Sequence, residues 1–161
     1  MPPRAPFWWH AHASPWPALL LPAALVWDAG ARLRWAFTHP FHADIPVICI
    51  GNFTSGGAGK TPAAIAIARI LHELGERPFF LTRGYGGTTR GPHRVNPDQD
   101  RARNIGDEAL LLARIAPAIV AADRAAGARA AQDQGASVIV MDDGLLNPGL
   151  TKTLSLAVMM K

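Results

Sequence analysis

Cysteine is nearly absent from this 161-residue chain, and lysine is scarce. The one cysteine, Cys49, excludes a disulfide framework and a cysteine-built zinc site. The 15 glycines and 14 prolines follow no fixed period, which excludes collagen-like and solenoid designs. No apolar run approaches the roughly 20 residues a spanning helix needs. Charged residues make up only 17% of the chain and apolar ones 49%, so a core can form and compositional disorder is excluded. The net charge of +4 is too modest to choose among nucleic acid, membrane and a phosphorylated ligand. Of 16 basic residues, only Lys60, Lys152 and Lys161 are lysines. A lysine inside an arginine-rich chain marks a place where a compact, mobile point charge is wanted.

Composition divides the chain at residue 44. All five tryptophans (Trp8, Trp9, Trp16, Trp27 and Trp35) lie before it. The run from Trp16 to Trp27 is apolar, stops at Asp28, and is followed by Arg32 and Arg34. It is too short for a span. Ala29-Gly30-Ala31 resembles a signal-peptide cleavage site behind an apolar run, but the region before it is weakly basic. An amphipathic core helix and a helix lying in a membrane surface remain. Tryptophans at both ends with arginines close by favour the membrane surface. Pro22 is expected to kink this helix or to start a second one.

Residues 45–51 form a short β-branched run that predicts a buried strand holding Cys49. Asn52-Phe53-Thr54-Ser55-Gly56-Gly57-Ala58-Gly59-Lys60-Thr61 follows, then a helical stretch from Pro62 to Leu74 closed by Gly75. Strand, glycine-rich loop, Gly-Lys-Thr and helix in that order is a phosphate-binding loop in its structural context. Thr54 stands where the usual pattern has its first glycine. Backbone N–H groups of Thr54, Ser55, Gly56, Gly57, Ala58 and Gly59 are predicted to cradle phosphates, aided by the helix N-terminus. Lys60 is predicted to reach the β and γ phosphates, and the Thr61 hydroxyl to bind Mg²⁺. The loop by itself says nucleotide binding and no more.

Four further segments carry chemistry. Pro78 to Thr82 predicts a strand running into Arg83-Gly84-Tyr85-Gly86-Gly87, which presents Arg83 and Tyr85 at a strand end. Residues 83–103 hold five arginines and predict a long loop, either a seat for a phosphorylated group or a solvated connection. Without aromatics interleaved beyond Tyr85, this stretch argues against nucleic acid as a partner. Gly106-Asp107-Glu108 opens a short helix; Asp107 is a helix-start residue by position and, beside a phosphate loop, a candidate base. Residues 117–121 and 137–141 predict two more strands with an alanine-rich helix led by Asp123-Arg124 between them. The last of these strands ends in Asp142-Asp143-Gly144, the arrangement that supports the Mg²⁺ of a bound nucleotide. Together these segments predict an α/β fold with a mostly parallel sheet and flanking helices.

The combination resembles the tetraacyldisaccharide 4′-kinase family, in its N-terminal half. The resemblance rests on Ile45-Pro46-Val47 leading to Gly51-Asn52-Phe53-Thr54, on Gly56-Gly57-Ala58-Gly59-Lys60-Thr61-Pro62 and on Thr82-Arg83-Gly84-Tyr85-Gly86-Gly87. It continues through Gly106-Asp107-Glu108, Ala122-Asp123-Arg124 and Met141-Asp142-Asp143-Gly144. The family shares the threonine at the Thr54 position. It carries glutamine where this chain has Leu146. The resemblance implies a P-loop-type kinase core over 45–161, preceded by a membrane-associating segment over 1–44 on the cytoplasmic face of the inner membrane. It implies ATP and Mg²⁺ as cofactors, and as acceptor the 4′-hydroxyl of an acylated glucosamine disaccharide 1-phosphate in lipid A biosynthesis. It implies Asp107 as the base and Asp142 and Asp143 in the metal shell, with Lys60 and Asp143 serving catalysis and Arg83 and Tyr85 facing substrate. It also implies a further domain in the family's second half. Two alternatives stand beside it: another P-loop NTPase, and a remnant that binds nucleotide or membrane without transferring phosphate.

Overall fold

The computed structural model describes residues 16–52 and 59–158. The described residues fall in two compact units that divide between Thr38 and His39. In the first, α1 (Trp16–Phe37) runs through Pro22 as one helix, so the proline does not begin a second. The ring removes one backbone donor, and the turn before it loses one hydrogen bond. The apolar side chains of Leu19, Leu25, Val26, Trp27, Leu33 and Phe37 are all exposed on it.

The second unit is built around a six-stranded sheet. Its elements are β1 (Val47–Gly51), α2 (Lys60–Glu73), β2 (Pro78–Thr82), β3 (His93–Arg94), α3 (Ala102–Ile105), α4 (Asp107–Ala113), β4 (Ala118–Val120), α5 (Arg124–Asp133), β5 (Val138–Asp142) and β6 (Leu154–Ala157). The strand order is β3-β4-β2-β5-β1-β6. All pairs are parallel except β3 with β4. The strands predicted over 45–51, 78–82, 117–121 and 137–141 are present: β2 covers the predicted residues, and the other three are shifted by a residue or two at one or both ends. The expected loop over 83–103 instead contains β3 and the start of α3. Two-residue β3 is held at the sheet edge by β4, and neither of these short elements has a periodic pattern to announce it.

β2, β4 and β5 are buried along their whole length. That is what a sheet covered on both faces requires, and it explains why their sequences are continuous apolar runs. Successive side chains go to opposite faces. Cys49, Phe79, Leu81, Ile119, Ile139 and Met141 pack with Ala128 and Ala131 of α5. Ile50, Phe80, Val120 and Val140 pack with Ala64 and Ala68 of α2 and Ala109 and Leu112 of α4. A fully buried side chain of the size of Phe80 contributes about 2–3 kcal/mol.

Helix ends follow local chemistry. Asp123 caps α5, its carboxylate accepting from the N–H groups of Ala125 (2.9 Å) and Ala126 (3.3 Å). α2 closes as predicted at Gly75: the Gly75 N–H donates to the His72 carbonyl and the Glu76 N–H to the Leu71 carbonyl, each at 3.0 Å. The same pair of bonds closes α5 at Gly135 and Ala136. Parallel strands joined by right-sized helices thus bring the carboxyl ends of β1, β2, β4 and β5 to one edge of the sheet, where ligands of open α/β sheets bind.

Candidate functional site

Lys60 begins α2 directly after Gly59, whose φ of 75° caps the helix in the left-handed region. Its Nζ donates to Asn52 Oδ1 at 3.1 Å and lies 3.3 Å from Asp143 Oδ1. The lysine side chain is 19% exposed and that of Asp143 68% exposed. Solvent screens such a pair, and its contribution to stability is at most about 1 kcal/mol. Its significance is positional: a cation is held between the ends of β1 and β5.

The two aspartates at the end of β5 differ sharply. Asp142 is buried in the strand, and its Oδ1 has no hydrogen-bond partner. Desolvation, then the neighbouring charges of Glu108 and Asp143, push its carboxyl up to about 6, against the lowering influence of Lys60 and Arg124. Asp143 turns the chain with a φ of 55°, a left-handed conformation that aspartate tolerates and most residues do not. This reversal takes Asp143 out of the sheet plane and onto Lys60.

Asp107 and Glu108 belong to α4, and the Glu108 carboxylate reaches the start of α2. Both residues are exposed in the first turn of α4. The Thr61 hydroxyl donates to Glu108 Oε1 at 3.4 Å. Gly106, just before them, has a φ of 89°, and a Cβ there would lie 2.4 Å from the Tyr85 carbonyl oxygen. A Cβ on Gly87 would lie 2.5 Å from the Asn104 carbonyl oxygen. The backbone of 84–89 therefore lies directly on that of 104–106. The Thr88 and Thr89 N–H groups both donate to the Asn104 carbonyl, at 2.9 and 2.8 Å. Only glycine permits this approach, which fixes where α4 starts and where its two acids sit.

Behind the aspartates stands Arg124, 4% exposed, with its Nη1 donating to the Ala121 carbonyl and its Nε unpartnered. Burial, then the nearby Arg83 guanidinium, lowers its pKa. Lys152 holds the loop after Asp143, donating to the carbonyls of Asn147 and Leu145. Burial lowers its pKa as well.

The structure thus brings Lys60, Thr61, Asp142 and Asp143 together, with Asp107 at the adjoining helix start. Thr54, Ser55, Gly56, Gly57 and Ala58 lie outside the described residues. Arg83 and Tyr85 are exposed beyond the end of β2, with Tyr85 87% exposed. Leu146 is also exposed. Sequence reasoning passed over Glu108, whose signal was adjacency to Asp107. It passed over Lys152 too, whose signal was the rarity of lysine. Among the described residues, no cluster of three or more His, Cys, Asp or Glu side chains could hold a metal ion unaided. An ion here would rest on an orphaned carboxylate oxygen, a neighbouring carboxylate and a hydroxyl, leaving room for ligands from a phosphate chain. Mg²⁺ is held in that way, and the buried, partnerless Asp142 Oδ1 fits it.

The family model for tetraacyldisaccharide-1-P 4′-kinase (LpxK) matches residues 16–161. The chain belongs to the tetraacyldisaccharide 4′-kinase family. A tetraacyldisaccharide 4′-kinase of Rhodospirillum centenum is 52% identical over 159 residues, covering 96% of this chain and 47% of the relative. One from Methylobacterium sp. strain 4-46 is 55% identical over 156 residues, with 96% and 47% covered. A third, from Methylobacterium radiotolerans, is 63% identical over 116 residues, covering 72% and 36%. The chain spans about half the length of these tetraacyldisaccharide 4′-kinases. Among solved structures, the "apo" form of LpxK from Aquifex aeolicus in complex with ATP superposes with a TM-score of 0.75 at 26% identity. It covers 87% of this chain and 48% of that one. Both the family and the α/β fold expected from the motifs are therefore established.

Proposed function

We propose that this chain carries the phosphate-transfer core of a tetraacyldisaccharide 4′-kinase. The reaction moves the γ-phosphate of ATP to the 4′-hydroxyl of an acylated glucosamine disaccharide 1-phosphate. The observation that carries this reading is the convergence at the start of α2. Lys60 is fixed by Asn52 and Asp143, and Thr61 is fixed by Glu108, beside Asp142, whose Oδ1 has no hydrogen-bond partner.

In this reading, N–H groups from Thr54, Ser55, Gly56, Gly57, Ala58 and Gly59 receive the phosphate chain at the N-terminus of α2. Lys60 neutralises charge building on the β–γ bridging oxygen and the γ-phosphoryl oxygens. Thr61 and Asp142 would hold Mg²⁺, and Asp143 and Glu108 would add negative charge close by. Bound Mg²⁺ supplies charge neutralisation and alignment of the β and γ phosphates. The substrate oxygen forms its bond to γ-phosphorus as the bond to the β–γ bridging oxygen breaks. The hydroxyl proton passes to Asp107. Little covalent chemistry falls to the protein, so the arrangement acts through positioning and charge. Arg83 and Tyr85, projecting beyond β2, meet the anionic acceptor.

Residues 1–44 are proposed as a membrane-associating segment ahead of the core at 45–161. Among the described residues no helix is long and apolar enough to cross a membrane. The exposed leucines and tryptophans of α1 suit a helix lying in the lipid headgroup boundary. The reading that goes with this segment is a chain on the cytoplasmic face of the inner membrane, where it would meet an acylated acceptor.

The test is transfer of labelled phosphate from ATP to the acylated disaccharide 1-phosphate in detergent micelles. Lys60→Ala is expected to lower the rate by about 10²–10³-fold, the effect of removing one preorganised electrostatic contact. Undiminished transfer by that variant, or ATP turnover that ignores the acceptor, overturns the reading.

A further inference from the structure

The amino end of the sheet holds a cavity of about 460 Å³, at the opposite edge from Lys60. Its floor is apolar, made by Ala68, Pro78, Phe79, Ala116 and Pro117. Its rim carries Arg69, His72, Arg77 and Arg94, with Glu73 as the one carboxylate. These side chains come from α2, β3 and the connection between α2 and β2, so no single helix face explains them.

Two of the arginines are held in place. The Arg94 guanidinium carbon lies 5.8 Å from the centroid of the Phe79 ring, and its Nη1 donates to Gln134 Oε1 at 3.2 Å. The Arg77 head lies over Gly135, its Nη1 3.5 Å from where a Cβ would be. Its backbone is tied on both sides to Ser137, the Arg77 N–H donating to Ser137 Oγ at 2.7 Å and the Ser137 N–H to the Arg77 carbonyl at 3.1 Å. The bland account of basic residues here is that they answer the carbonyl ends of α2 and α5. Each helix end carries about half a negative charge. Three guanidiniums against one carboxylate and two such ends leave the pocket positive.

We propose that this pocket binds a small amphipathic anion: a phosphate, sulfonate or carboxylate group seated on the arginines, with an apolar body over the Phe79–Pro117 floor. The volume lies within the range of small-molecule sites, and the lining has their usual composition, a mainly apolar wall with a few convergent polar groups. The site is separate from the nucleotide end and does not rest on the kinase reading.

The experiment is NMR titration of the chain with three probes: 1-naphthyl phosphate, dodecyl phosphate and inorganic phosphate. A Lys60→Ala chain and an R69E/R94E chain run in parallel. At least one organic phosphate is expected to shift the amide signals of Arg69, His72, Gln134 and Gly135 saturably, unchanged by Lys60→Ala and weakened at least tenfold by R69E/R94E. Tighter binding of dodecyl phosphate supports the proposal with a lipid-derived ligand, and tighter binding of naphthyl phosphate supports it with an aromatic one. Both arginines are exposed, so the double variant is expected to keep its fold, which its own spectrum reports. Absence of shifts at the pocket, unchanged affinity in R69E/R94E, or inorganic phosphate binding as tightly as both organic probes overturns the proposal.

Discussion

The two ends of the sheet are made of the same strands and solve opposite problems. At the amino end the chain is regular: both flanking helices close through paired backbone bonds, and the charges sit on exposed arginines. At the carboxyl end it is not. Asp143 sits in a left-handed conformation, Gly106 and Gly87 allow backbones to touch, and Asp142 is buried with an oxygen unsatisfied. Strain and unmet polarity gather where a polyanion and its cation would bind, as expected when binding rather than folding selects the residues. The comparison teaches that charge alone does not mark the reactive end, since arginine is plentiful at the other. Unsatisfied buried charge does.

Breaking the carboxyl end through its backbone should have the largest effect. Gly106→Ala places a methyl group against the Tyr85 carbonyl at a positive φ. A loss of about 3 kcal/mol or more is expected in urea unfolding. Phosphate transfer should fall with it as α4 and its acids move.

Removing the buried charge should stabilise. The folded-state pKa of Asp142, about 6, lies above its ordinary value of 3.8. Between those values the folded protein binds a proton that the unfolded chain does not, so stability falls as pH rises through this window and stays lower above it. Asp142→Asn removes that dependence. It is expected to be more stable than the parent at pH 7 by on the order of 2–3 kcal/mol, with the gap closing near pH 4. Unfolding midpoints across pH check this. Equal midpoints at pH 7 would mean that Asp142 is not strained in the free protein.

Asp143→Gly relieves the left-handed strain at the loss of a weak, exposed ion pair. A net stabilisation of up to about 1 kcal/mol is expected, together with a marked loss of transfer. Opposite signs for stability and activity would sharpen the contrast between the ends. At the amino end, Arg94→Ala loses an exposed hydrogen bond and a ring contact. It should change stability by no more than about 0.5 kcal/mol and leave transfer unaltered.

Much of this architecture was legible in the residues, for physical reasons that differ by element. β2 was readable to the residue because five consecutive buried positions leave no alternation to confuse. The close of α2 was readable because Gly75 supplies the one backbone conformation that ends it. The start of α2, expected at Pro62, lies two residues earlier at Lys60, because the left-handed Gly59 begins the turn. β3 was illegible because His93 and Arg94 pair only through β4, a partner far along the chain. The site was legible as an inventory of motifs and not as a geometry. Glu108 and Asp107 are neighbours in sequence, yet Glu108 is the one that meets Thr61. Only the packing of 84–89 on 104–106 decides how the start of α4 is set against α2.

The sheet order also sets a timetable. Of the six described strands, β1 is the earliest to leave the ribosome, and it lies between β5 and β6, the latest of the six. Ile50 cannot meet Asp142, nor Cys49 meet Ser155, until those residues have been made. At about 5–20 residues per second, that wait is on the order of ten seconds. Through it an apolar strand stays unpaired, and the nascent chain carries the risk of mispairing until β5 and β6 arrive.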